Sequence, residues 1–241
     1  MNIAMGDHEY SDTSGGEKGI IDQYLKPLNL AKTYYSFDMK NVHVTIIDPY
    51  IDYDSGSAQY QFIENDLRNA ASDPKIDWTF VVESIPIYTS PAKHPADSTI
   101  RDIYHPLFDR YGVDLVFSSD NHNYQRTFPL QYNSEDEDSS NYPIIADRDS
   151  TSYNIDGGVV YLIIGTAGRS LYEIKEQAPF VANQHDEQFG FLNIDIYSNK
   201  ALRGTFYANE DDQRYYPVSY INNNMIDRFI ISNIKVSGAM S

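Results

Sequence analysis

The sequence has no cysteine. Disulfides, zinc–thiolate sites and thiol nucleophiles are therefore excluded, and the redox compartment is left open. Basic residues are scarce: 18 Lys and Arg stand against 35 Asp and Glu, for a formal charge of −17. A chain so charged repels nucleic acid and anionic membrane surfaces, and neither is expected as a partner. It repels a phosphate substrate too, unless cations at the site invert the local field. No apolar run approaches the roughly 20 residues of a membrane span. The opening MNIAMGDHEY has no basic segment ahead of a long apolar core, so it does not read as a signal peptide. Asn-x-Ser/Thr sequons and internal repeats are also lacking.

Core-forming residues are not scarce. In 241 residues, 41% are hydrophobic and 21 are Tyr, enough to close one large domain or two small ones. The pattern alternates in the first half. YYSF and VHVTIID (42–48) read as strands. Residues 57–71 read as a helix that Ser57 can cap, with Phe62, Ile63, Leu67 and Ala70 on one face. DWTFVVES (77–84) reads as a buried strand. Residues 97–112 carry the clearest helical spacing, with Ile100, Ile103, Tyr104, Leu107, Phe108 and Tyr111 apolar and Gly112 as the stop. Pro106 lies inside and is expected to kink or split that helix. VDLVFSS (113–119) is the next strand, so strand, helix and strand point to a parallel βαβ unit. Residues 131–156 read as a long acidic surface loop. GGVVYLIIGTAG, FGFLNIDIYS, ALRGTFYA and DRFIISNIKV read as strands without helices between most of them, predicting an antiparallel C-terminal third. The tail 237–241 is expected to fray.

Ligand sites of open α/β sheets lie beyond the C-terminal ends of strands. Three strand-like runs deliver polar residues to such ends: IAM before Gly6-Asp7-His8-Glu9, WTFVV before Glu83-Ser84, and VDLVFSS before Asp120-Asn121-His122. Carboxylate and imidazole groups converging there are what a metal site requires. Glu83 and Ser84 point to opposite faces of their strand, so both cannot face one site.

In this order the motifs resemble the calcineurin-like metallophosphoesterases, closest to the purple acid phosphatase branch. GDHEY (6–10) stands where that family has GNHE. VVESIPIYTSPAKHP stands where it has VxxH and a histidine-bearing loop. The stretch from Ile100 to Leu130 resembles the helix and strand leading into GHxH, and GGVVYLIIGTAGRSLYE resembles its late glycine turn. The resemblance implies a sandwich of two mixed β-sheets flanked by helices, formed by a domain over 1–236 that lacks the family's first strands, since GDxG and GDxxY have no counterpart. It also implies metal-dependent hydrolysis of phosphate monoesters, in which two metals activate a bridging water and a histidine assists the leaving alcohol.

The departures bear on that activity. Asp7 replaces the family's asparagine ligand, Ser84 replaces the VxxH histidine, and Asp120 replaces the first histidine of GHxH. His122 is retained. Asp7, Asp120 and His122 are thus the implied metal ligands, and His8 and His94 the implied catalytic histidines. Oxygen-rich donors imply a harder cation than usual for the family (Mn, Mg, Ca or Fe) or none. Without a cation Asp7 and Asp120 repel, which favours a proton on one of them. Two functions stay open: a phosphatase of acid phosphatase type with a degenerate metal site, and an inactive homologue or fragment serving in binding or assembly. Absent first strands would leave a sheet edge that invites self-association or a partner. Family members are often exported, which makes an extracellular setting compatible with this chain. Tyr124, Arg126, His43, His105, His185 and Trp78 read as structural.

Overall fold

The structure is a computed structural model and describes residues 2–11, 17–135, 142–154, 157–197, 200–209 and 223–232. It is a mixed α/β sandwich. Strands β1 (Tyr35–Met39), β2 (Val42–Ile46), β3 (Trp78–Val82), β4 (Leu115–Ser118), β5 (Tyr124–Thr127), β9 (Val160–Ile164) and β10 (Val181–His185) form a seven-stranded sheet in the order β1-β2-β3-β4-β9-β5-β10. A four-stranded sheet, β11 (Gly190–Tyr197), β12 (Ala201–Asn209), β13 (Asn223–Ser232) and β8 (Ser152–Asn154), covers one of its faces. Strands β6 (Leu130–Gln131) and β7 (Ile144–Ile145) pair separately.

The centre of the large sheet is parallel, β2 to β3 to β4 to β9, and buried on both faces. That explains its near-continuous apolar strands. On β3 and β4, Trp78, Phe80, Leu115 and Phe117 point between the sheets, towards Leu202, Phe206 and Phe229. Val81 and Val116 point the other way, under the helices. Those helices are α3 (Ala58–Ser72) and α4 (Ser98–Tyr111), which follow the short α1 (Asp7–Ser11) and α2 (Glu17–Ile20).

Their ends follow the expected chemistry. The Ser57 hydroxyl accepts from Tyr60 N, the Asp97 carboxylate accepts from Ile100 N, and Gly112 closes α4 in the left-handed conformation with φ 66°. Pro106 does not split α4, which runs unbroken. Proline costs one backbone bond, and burial of Tyr104, Leu107 and Phe108 around it holds the remaining turns in place.

Polar residues stitch α3 to the sheet. On the helix-facing side of β1 and β2, Asp66 accepts from Ser36 Oγ at 2.6 Å and Thr45 Oγ1 at 2.8 Å, and meets His43 Nε2 at 2.9 Å. Asp38 takes the other ring nitrogen at 2.7 Å. Burial acts to lower the His43 pKa, but the two carboxylates outweigh it and leave it raised. His43 is structural.

Three sequence expectations need correction. IAM is not a strand. Residues 2–6 are irregular, and Ile3 bonds the Tyr35 hydroxyl through both N–H and C=O rather than a neighbouring backbone. The loop 131–156 is not merely a surface excursion, because β8 within it pairs parallel with β13; its residues 136–141 and 155–156 lie outside the described residues, as does the tail 237–241. The C-terminal third is not wholly antiparallel either, since β9 runs parallel beside β4. Among the described residues no helix is long and apolar enough to cross a membrane.

Candidate functional site

The site forms where β3, β4 and β9 end together. The turn after β4 is fixed by backbone bonds before any side chain acts. Ser119 N and Asp120 N both donate to Ser84 O at 3.0 Å, which ties the end of β4 to the end of β3. Gly165, just past β9, donates its N–H to Asn123 O at 3.0 Å. The approach is so close that a Cβ at Gly165 would run into the carbonyl oxygens of Asn121 and Ser119. Both obstacles are backbone, so nothing soft can yield. Gly165→Ala is expected to cost about 1–3 kcal/mol in denaturant unfolding, and to shift the NMR signals of residues 119–123 more than those of α3.

Side chains then gather on this turn. The carboxamide of Asn121, wholly buried, accepts from His94 N at 2.9 Å and donates to His94 O at 2.8 Å. It holds the loop carrying His94 as a neighbouring strand would. His94 Nδ1 lies 3.6 Å from Asp120 Oδ2. The His122 ring stacks on Tyr172 with centroids 4.0 Å apart, and its Nδ1 lies 2.8 Å from Ser170 O. A proton on Nδ1 satisfies that carbonyl and leaves the Nε2 lone pair free. Lys93 Nζ lies over the Tyr172 ring at 4.2 Å and donates to its hydroxyl at 3.0 Å. Lys93, His94 and His122 thus surround Tyr172, a local concentration of nitrogen donors in an acidic protein.

The acids occupy the other side. Asp7 opens the short helix α1 (Asp7–Ser11), with His8 beside it, both exposed. Burial raises the pKa of Asp120, and the charge of Asp7 raises it further against the pull of His94, His122 and Lys93. Tyr50 sits between these groups. Its hydroxyl accepts from Ser84 Oγ at 3.4 Å, and its pKa is raised by burial first and then by Asp120, Asp7 and Asp48. Asp48 is held by Tyr10 OH and by Tyr50 N.

The structure thus brings the loop of His94 against the turn of Asp120 and His122 and sets Asp7 within electrostatic range, with His8 exposed beside Asp7 on α1. It does not bring them into a metal-binding group: among the described residues no three His, Cys, Asp or Glu side chains gather closely enough to hold an ion. His122 alone has the bearing of a ligand, with one nitrogen satisfied and the other open. Asp120 is drawn to His94, and Ser84 is neutral and bonded to tyrosine. The residues present do not fit a two-metal centre. Glu83 is no substitute ligand, because it points under the helices and is 2% exposed.

Over 95% of the chain the fold matches a purple acid phosphatase from yellow lupin (Lupinus luteus) seeds, with a TM-score of 0.72 at 24% identity, and covers 40% of that structure. That is the calcineurin-like sandwich. Residues 158–215 match the model for the iron/zinc purple acid phosphatase-like protein C family. The chain is 27% identical to probable inactive purple acid phosphatase 24 of Arabidopsis thaliana over 88% of its length, and 28% identical to purple acid phosphatase 21 of the same plant over 78%. It spans 36% and 40% of those relatives. The chain is thus similar in sequence to purple acid phosphatases over most of its length and shares the fold of one of them.

Proposed function

We propose that this chain binds the phosphate of an ester ligand and does not turn it over through a metal centre of its own. The observation that carries this reading is the gathering of Lys93, His94 and His122 about Tyr172 at the strand ends, without a converging set of metal donors among the described residues. Lysine ammonium and imidazole N–H groups donate to phosphate oxygens without needing a metal. The name of one relative, a probable inactive purple acid phosphatase, is in keeping with it. Asp120 would have a positioning part, holding His94 rather than an ion.

Two measurements on the purified chain test this together. One is binding of inorganic phosphate followed by NMR. The other is hydrolysis of an aryl phosphate with Mn, Mg, Fe or Zn added in turn. Phosphate binding is expected, about ten-fold weaker in Lys93→Ala through loss of a charge-assisted hydrogen bond, with no metal-stimulated hydrolysis. Metal-dependent turnover that disappears in Asp120→Ala and His122→Ala would overturn the reading in favour of a working remodelled centre.

We also propose that the chain associates through an open sheet edge, a reading supported by the character of β11.

A further inference from the structure

The sandwich has four sheet edges among the described residues: β1, β10, β8 and β11. Strand β8 has three residues, and β1 and β10 have five each. Strand β11, GFLNIDIY, has eight. It contains no proline and no lysine, the residues that commonly blunt an edge. Its one charge, Asp195, is taken by Arg203 of β12 at 2.6 Å.

The backbone shows which groups are left over. Asn209 N donates to Phe189 O at 2.8 Å, while Gly190 turns both its N–H and its C=O away from β12, to Thr166. Antiparallel pairing alternates between bonded and non-bonded pairs. With Phe191 opposite Tyr207 and Asn193 opposite Thr205, the odd positions bond β12. The N–H and C=O groups of Leu192, Ile194 and Ile196 therefore point outward, and no backbone bond from another described residue reaches them. Their side chains pack on the core between the sheets but stay only half-buried. On the opposite face Phe191 is 44% and Tyr197 40% exposed.

The order of residue types along this strand selects its occupant. Read outward from Ile194, the sequence is the same in both directions by class: Asn193 and Asp195 are polar, Leu192 and Ile196 aliphatic, Phe191 and Tyr197 aromatic. We propose that β11 pairs with β11 of a second copy of this chain, antiparallel about a two-fold axis through Ile194. This names the partner and register for the edge association proposed above and rests on that reading. In this register Ile194 meets Ile194, and Leu192 meets Ile196 of the second copy. All of them carry outward backbone groups, so about six hydrogen bonds form across the junction. Phe191 meets Tyr197 twice. Asp195 meets Asn193, so no like charges stand directly opposite, and each Asp195 is already paired with Arg203 of its own copy.

Sedimentation velocity on the full chain at physiological salt, across a concentration series, tests this. The unmodified chain is expected to be a dimer. Phe191→Lys with Tyr197→Lys sets lysine against lysine at both ends and is expected to weaken the dimer about ten-fold or more. Phe191→Lys with Tyr197→Glu sets opposite charges face to face and is expected to restore it to within about three-fold. Both positions are exposed, and circular dichroism checks that both variants fold. Breakage without restoration overturns the register. A dimer indifferent to either variant overturns the choice of β11 and leaves edge association standing elsewhere. A monomer at every concentration overturns both.

Discussion

Asp227→Ala is expected to destabilise the protein by about 3–5 kcal/mol, lowering its unfolding temperature by on the order of 10 °C. Asp227 lies on β13 and Arg126 on β5, so the pair joins the two sheets. The guanidinium grips the carboxylate through Nε at 2.6 Å and Nη2 at 2.9 Å. Tyr124 OH donates to the same carboxylate at 2.7 Å and Asn183 Nδ2 at 3.2 Å. Arg126 is wholly buried, with Phe229 4.6 Å from its guanidinium carbon. Removing the aspartate leaves a cation in the core with Ser150 O at 2.9 Å as its remaining oxygen partner among those described. The cost is that of an uncompensated charge, not of the pair itself. Arg126→Met with Asp227→Leu is therefore expected to be more stable than Asp227→Ala, because it removes both charges and keeps the volume. Urea unfolding of the single and double variants decides this. A double variant as unstable as the sum of its two single changes would mean that the two residues are not coupled, and that the loss in Asp227→Ala is not that of an uncompensated charge.

Much of this architecture was legible before any coordinates. Helices α3 and α4 declare themselves by local rules, since apolar spacing, Ser57 and Gly112 act within a turn or two of their own position. The parallel centre was readable because burial on both faces leaves an unbroken apolar run. What escaped was set by distant partners. Strand β10, VANQH, has no apolar alternation, and it is a strand because β5 offers an edge in register, His185 opposite Tyr124. The irregular N-terminal segment reads as a strand until one asks what its backbone bonds, which is a tyrosine hydroxyl 32 residues away.

The site divides the same way. The family blocks pointed to Asp7, His8, Asp120, His122 and His94; Asp120 and His122 share the turn after β4, Asn121 ties the loop carrying His94 to it, and Asp7 and His8 stand apart on α1. Tyr172 could not be foreseen, because nothing in GTAGRSLYE says that its ring will lie under His122. Asn121 carried a signal that went unread: an amide at the buried position between two block residues needs partners, and the His94 backbone supplies them. The resemblance named positions, while the pairings at those positions belong to this chain. Such pairings decide whether a carboxylate faces an ion or a histidine.

A neighbouring carboxyl makes the opposite case from Asp227. Glu83→Gln is expected to stabilise the protein, by on the order of 3 kcal/mol at pH 7 or about 6–12 °C in unfolding temperature. Glu83 ends the run of β3 under the helices, and neither carboxyl oxygen has a hydrogen-bond partner among the described residues. Burial, and secondly the charge of Asp97, push its pKa to about 8. An unfolded chain ionises this group near pH 4.5. Between about pH 4.5 and 8 the unfolded state is charged while the folded state keeps its proton. The unfolded state then binds fewer protons, so stability falls as pH rises through that window. Below it both states are neutral, and above it both are ionised and the penalty stops growing. Glutamine keeps the shape of the neutral acid and cannot ionise. The two proteins should therefore unfold together near pH 4 and separate steadily up to about pH 8. The Tyr104 and Tyr161 hydroxyls, also buried without partners, lie in the electrostatic range of Glu83. Thermal unfolding of both proteins at half-unit steps from pH 4 to 9 reads the difference directly. Parallel curves across that range would mean that Glu83 ionises inside the fold at no cost, and that water reaches it.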